Sequence, residues 1–288
     1  MPLHVRNLVP SLIVAVLAVT GGCTPDQPHS VEDARPKPDA GQFVMLAGHT
    51  PPFSQRPYGR FTRAEVVAIA QQEWRLFGQR VKDEPPQTND GPDAEETLQR
   101  FPGLWERIGE YWWLGQNANR REAAWTGMHD ETGQEIDDSR ADNFAWSAAF
   151  VSYVMRTAGA GARFPYAPSH YVYINTAKEM RLDRSSGWVV MAERVDDYAP
   201  AAGDLICYWR GKRRVTFQIL PLRRFPAHCD IVVHSEQGQI SVIGGNVGAA
   251  VAMKHVPVTA AGRFADPTSR PLDTRYPWFV VLRILYDR

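Results

Sequence analysis

Asn143-Phe144-Ala145-Trp146-Ser147-Ala148-Ala149-Phe150-Val151-Ser152-Tyr153-Val154-Met155 is the stretch on which the fold turns. From Trp146 the apolar residues continue through Ala158, and Gly159 stops the helix they form. Upstream the pattern is also helical. Thr62-Arg63-Ala64-Glu65 reads as a capping box, followed at helical spacing by Val66, Val67, Ile69, Ala70, Trp74 and Phe77. A second helix is expected from about Pro102 to Gly115, its stripe of Leu104, Trp105, Ile108, Tyr111 and Trp112 turned to the core. Downstream one more helix is expected, from about Ser169 to Arg181, and after Pro200 the period changes to that of strands. Five are legible: 203–209, 228–233, 239–243, 253–258 and 278–286. Helices first and strands later imply an α+β class with an antiparallel sheet of about five strands. The expected domain is residues 59–288, with a helical part at 59–140 and a core at 141–288.

The polar residues fall in a telling order. Ser147 opens a helix, His228 opens a strand, and Asn246 ends the next strand after Gly245. Asp230 is two residues from His228 on one strand, so both face the same side, while Cys229 alternates away. Cys207 and Cys229 lie in strand-like runs, either as a bridge or as two small buried side chains. His170 follows Pro168-Ser169 at a helix start, where it lines a cleft or meets solvent.

These motifs resemble the papain-like cell-wall hydrolases, above all the CHAP amidase/peptidase and NlpC-type families. W-S-A-A-F-V from Trp146 is similar to their nucleophile helix, W-C-A-A-F-V. P-A-A-G-D-L-I-C-Y from Pro200 resembles their first strand, H-C-D-I-V-V from His228 the histidine strand, and I-G-G-N-V from Ile243 the turn with a polar third member. The resemblance covers roughly residues 140–285. It implies a papain-like fold acting on amide bonds of peptidoglycan peptides, with Ser147 as nucleophile, His228 as base and Asn246 orienting it. Trp146, Gly245, Asp230 and His170 would line the cleft. Closer still, from about residue 62, the chain looks like a bacterial family catalogued only as a domain of unknown function, in which W-S-A-A-F and H-C-D-I-V recur.

Ser147 stands where those hydrolases carry cysteine. A thiol ionises near neutrality when a helix N-terminus or a histidine lowers its pKa. A serine hydroxyl does not, and needs a placed base to take its proton during attack. Two readings of Ser147 follow: a serine nucleophile, or a helix cap retained in a non-catalytic binding or scaffolding protein.

The N-terminus sets the expected location. His4 and Arg6 precede an apolar run from Leu8 to Val19, then Gly21-Gly22 and Cys23. Residues 1–22 read as a signal peptide and Cys23 as the acylated first residue of a mature lipoprotein. The apolar run is too short to cross a bilayer of ~30 Å, so acyl chains would hold the protein. Thr24 in place of Asp favours the outer membrane. Residues 23–58, with seven prolines, read as a tether of up to ~100 Å. The expected partners are the membrane, through Cys23, and peptidoglycan.

Composition narrows the rest. Thirty-two basic and 32 acidic residues cancel, which speaks against nucleic acid as a partner. The acidic run His129 to Asp138 has no defined ligand spacing, and no phosphate-cradling loop or zinc pattern is present. No metal or cofactor is therefore expected. The arginine-rich insert at 210–227 reads as a solvated basic loop, or as a contact for peptidoglycan carboxylates.

Overall fold

The structure, a computed structural model, describes residues 59–84, 98–116, 120–137, 143–266 and 270–287. The leader, Cys23 and the tether lie outside the described residues. Among the described residues, four α-helices come first: α1 (Arg63–Leu76), α2 (Leu104–Leu114), α3 (Ser147–Thr157) and α4 (His170–Arg181). Six strands follow: β1 (Val190–Glu193), β2 (Leu205–Trp209), β3 (Ala227–Glu236), β4 (Gln239–Val247), β5 (Ala250–Pro257) and β6 (Trp278–Ile284). They form one antiparallel sheet in the order β1-β6-β2-β3-β4-β5. The class is α+β as expected. The sixth strand, β1, is too short to show a period of its own and is fixed by pairing with β6, Val190 opposite Ile284.

The sheet is covered on both faces, which explains why its strands read as continuous apolar runs. Leu205, Cys207, Cys229, Ile231 and Ile243 share a core with Phe150, Val151 and Val154 of α3 and Tyr173 and Ile174 of α4. Ile206, Val232, Val242, Val256 and Val281 belong to a second, smaller core with Phe264 and Trp278. Alternation along β2 and β3 divides neighbours between the two cores. At the centre Cys207 lies directly opposite Cys229. Their Cα atoms are 4.1 Å apart and the pair is a disulfide, so the bridge and the apolar burial are both realised.

The first three helices are joined by one buried carboxylate. Glu73 of α1 receives Arg107 Nε at 2.8 Å and the Tyr111 hydroxyl at 2.6 Å from α2, and the Tyr153 hydroxyl at 3.3 Å from α3. Each added hydrogen bond helps offset the desolvation of a carboxylate only 1% exposed. Burial, then the negative Glu73, pushes the Tyr153 phenol up to about 12. At the start of α1, Thr62 Oγ1 accepts the Glu65 N–H at 3.3 Å and donates to the Glu65 carboxylate at 3.1 Å. The carboxylate thus meets the capping hydroxyl rather than the backbone.

Candidate functional site

Ser147 is the first residue of α3, and the cap position before it is Trp146, with no side-chain capping bond. The serine hydroxyl is therefore not spent on the helix. It lies 2.7 Å from Nε2 of His170, itself the first residue of α4. The other ring nitrogen, Nδ1, is hydrogen-bonded to the hydroxyl of Tyr173, one turn further along α4. Two helix starts thus meet through a serine–imidazole–phenol chain. Ser147 is 5% exposed and His170 4%.

A second chain runs beside it. His228 Nε2 and Asp230 Oδ1, both on β3, are 2.9 Å apart. Asp230 Oδ2 is 2.7 Å from Lys254 Nζ on β5. The His170 and His228 rings have centroids 5.3 Å apart. Lys254 is fully buried, with its ammonium 4.7 Å from the ring centre of Tyr276 and 5.2 Å from that of Tyr208. An ammonium among ring faces keeps part of the stabilisation it loses on leaving water.

Burial is the first cause of the shifts here. It carries the His170 imidazole well below its ordinary value, with the neighbouring His228 adding to the effect. It lowers His228 too, against the pull of Asp230. Burial alone would raise the Asp230 carboxyl, but Lys254 and His228 outweigh it and hold the group well below the usual carboxylate range. Lys254 is lowered by its burial, against Asp230. At neutral pH these directions leave two neutral imidazoles and an ionised Asp230 beside Lys254. An ionised Asp230 can only accept, so His228 carries its hydrogen on Nε2 and presents the lone pair of Nδ1.

Two adjacent glycines let these parts approach. A Cβ on Gly244 would stand 1.9 Å from Asp230 Oδ1 and 3.0 Å from His228 Nε2. One on Gly245 would stand 2.5 Å from Cβ of Phe150 and 2.9 Å from the Trp146 ring. Gly244 thus makes room for the β3 pair and Gly245 for the first turn of α3.

The geometry revises the roles expected from sequence. The imidazole on Ser147 is that of His170, not His228. The group on His228 is Asp230, not Asn246. Asn246 has a left-handed backbone, φ 56°, inside the register break between Gly244 and Val247, so strand alternation does not place its side chain. Trp146 and Gly245 pack against each other at the start of α3, a Cβ on Gly245 standing 2.9 Å from the Trp146 ring. Tyr173 and Lys254 were not expected members.

Fold and site together define an α+β domain with a buried serine–imidazole pair next to an imidazole–carboxylate–ammonium array. The chain belongs to the family described as an uncharacterized protein conserved in bacteria (DUF2272), which matches residues 99–284. That range holds both polar chains and begins after α1. No curated protein and no solved structure matches the chain.

Proposed function

We propose that this protein is a cell-envelope lipoprotein whose domain cleaves amide bonds in peptidoglycan peptides, with Ser147 as nucleophile and His170 as general base. The observation that carries the reading is the 2.7 Å contact between Ser147 Oγ and His170 Nε2 at the start of α3. In the tautomer with hydrogen on Nδ1, the Tyr173 oxygen accepts that hydrogen and Nε2 accepts the serine O–H. Ser147 Oγ then attacks the carbonyl carbon while Nε2 takes the hydroxyl proton and passes it to the leaving amine. Water releases the acyl group from the serine by the same path in reverse. A helix start leaves N–H groups without intrahelical partners, and those at the start of α3 would serve to receive the negative charge that develops on the carbonyl oxygen. The envelope location is supported by the leader ending at Cys23 and by the Cys207–Cys229 bridge, which suits an oxidising compartment. The substrate class rests on the resemblance to papain-like cell-wall hydrolases.

The test is digestion of purified sacculi by the wild type, Ser147→Ala and His170→Gln, with released muropeptides followed by chromatography. Release by the wild type alone is expected. No release by the wild type, where a control hydrolase works, overturns the reading.

A second reading is favoured by one observation, the near-complete burial of Ser147, His170 and His228, the last only 2% exposed. In it the domain is a non-catalytic peptidoglycan-binding or scaffolding module with a closed cleft. Sacculus pull-down retained by Ser147→Ala, with no turnover by the wild type, selects it.

A further inference from the structure

Away from the serine lies a cavity of about 620 Å³, within the range of small-molecule sites. Its walls include the rings of Trp209, Phe217, Tyr276 and Trp278. Its polar lining includes Arg214, Thr216, Gln218 and Thr274. The other charged groups of the lining are already engaged. Arg194 is paired with Asp196 at 2.9 Å, and Asp273 accepts from Arg275 Nε and Trp278 Nε1, each at 2.9 Å. Arg214 has no ion-pair partner among the described residues, and the side chains of Thr216, Gln218 and Thr274 make no hydrogen bond there.

We infer that this cavity is a binding site for a saccharide that carries a carboxylate. The ring faces bear negative quadrupole charge, which suits the weakly positive C–H faces of a pyranose. The three uncommitted polar side chains offer donors and acceptors for hydroxyl and amide groups. Arg214 supplies the one uncommitted charge on the lining, and its planar fork matches a carboxylate. Arg214, Thr216, Phe217 and Gln218 all come from the arginine-rich insert between β2 and β3. This gives that insert a ligand rather than bulk solvent. Tyr276 and Trp278 also surround Tyr208, at ring distances of 4.8 and 5.0 Å, and Tyr208 lies 5.1 Å from the His228 ring. The ring centre of Tyr276 itself also lies 4.7 Å from Lys254 Nζ, so the cavity is one ring layer from the second polar chain. The inference deepens the peptidoglycan reading and depends on it for the source of the sugar, whose lactyl carboxylate is freed when its amide to the stem peptide is cleaved.

The experiment is calorimetric titration of the full chain with N-acetylmuramic acid, which bears a carboxylate, and N-acetylglucosamine, which does not. Wild type and Ser147→Ala should both bind the acidic sugar more tightly. Arg214→Gln, a change at an exposed side chain, should lose about tenfold in affinity for the acidic sugar alone. Trp209→Ala should weaken both sugars. Equal affinity for the two sugars, survival of the preference in Arg214→Gln, or binding of neither sugar overturns the inference. Because Ser147→Ala is included, binding without sacculus digestion sinks only the hydrolase reading. Digestion without sugar binding sinks only the cavity.

Discussion

Ser147 and His170 are 23 residues apart in sequence, yet their Oγ and Nε2 atoms are 2.7 Å apart in a region shielded from water. A hydroxyl in such a contact has lost its solvent partners and keeps one strong one. If that contact serves proton transfer, His170→Gln should lower muropeptide release by about 10²- to 10⁴-fold, the usual range for a general base. Ser147→Ala should remove it. Circular dichroism should show both variants folded, and a fluorophosphonate reagent should label the wild-type serine only. Equal rates in His170→Gln and wild type would dismiss His170 as the base.

Asp230 is the electrical hinge of the second chain. Its carboxylate balances the buried Lys254 ammonium and accepts from His228. Asp230→Asn leaves that ammonium without its counter-charge, and the cost of breaking such a pair is about 3–5 kcal/mol. Urea unfolding should show the loss as a lower midpoint. Lys254→Met should lose less than Asp230→Asn, because Asp230 keeps its bond from His228. A loss below about 1 kcal/mol in Asp230→Asn would contradict the buried pair.

Gly244→Ala is expected to disturb His228 before it disturbs the rest of the sheet. The new methyl would overlap Asp230 Oδ1, and relief requires moving either β4 or the carboxylate. Overpacking of this kind costs about 1–3 kcal/mol. In nuclear magnetic resonance spectra the His228 imidazole signals should shift while those of residues in α1 stay put. Unchanged imidazole signals would show that the strand yields instead.

Acid should destabilise the fold earlier than carboxylate protonation alone predicts. Both imidazoles are held neutral below their ordinary value, so the unfolded chain binds more protons than the folded one once pH falls past ~6.5. Stability therefore rises with pH in that window and is lost as pH falls, by up to about 1.4 kcal/mol per pH unit for each histidine. Asp230 contributes in the same direction only at lower pH, near and below the ordinary carboxylate value. Thermal melts from pH 7.5 to 5 should show a falling midpoint, and His170→Gln should flatten the slope. A flat wild-type profile over this range would contradict neutral burial.

Much of the fold is readable from local patterns. Trp146 to Ala158 keeps one helical period, and the paired Gly244-Gly245 marks a close approach. What the chain does not encode locally is how α4 lies against α3. Pro168-Ser169 signals that a helix begins, but whether its first side chain meets solvent or Ser147 depends on packing between distant segments. One signal was available: His170 and Tyr173 are three apart, hence neighbours on one helix face. Lys254 carried another, since it shares a strand face with Val256 in an otherwise apolar run. Asn246 misled because alternation fails where β4 breaks register.

The bridge between β2 and β3 has a consequence for the chemistry on the neighbouring residues. A one-residue slip between two strands turns every side chain to the opposite face. With Cys207 tied to Cys229, Tyr208 stays opposite His228 and Ile206 opposite Asp230. A covalent bond between two buried sulfurs thus decides which side of the sheet titrates, and removes the competing alignment in which His228 and Asp230 would turn to the opposite face.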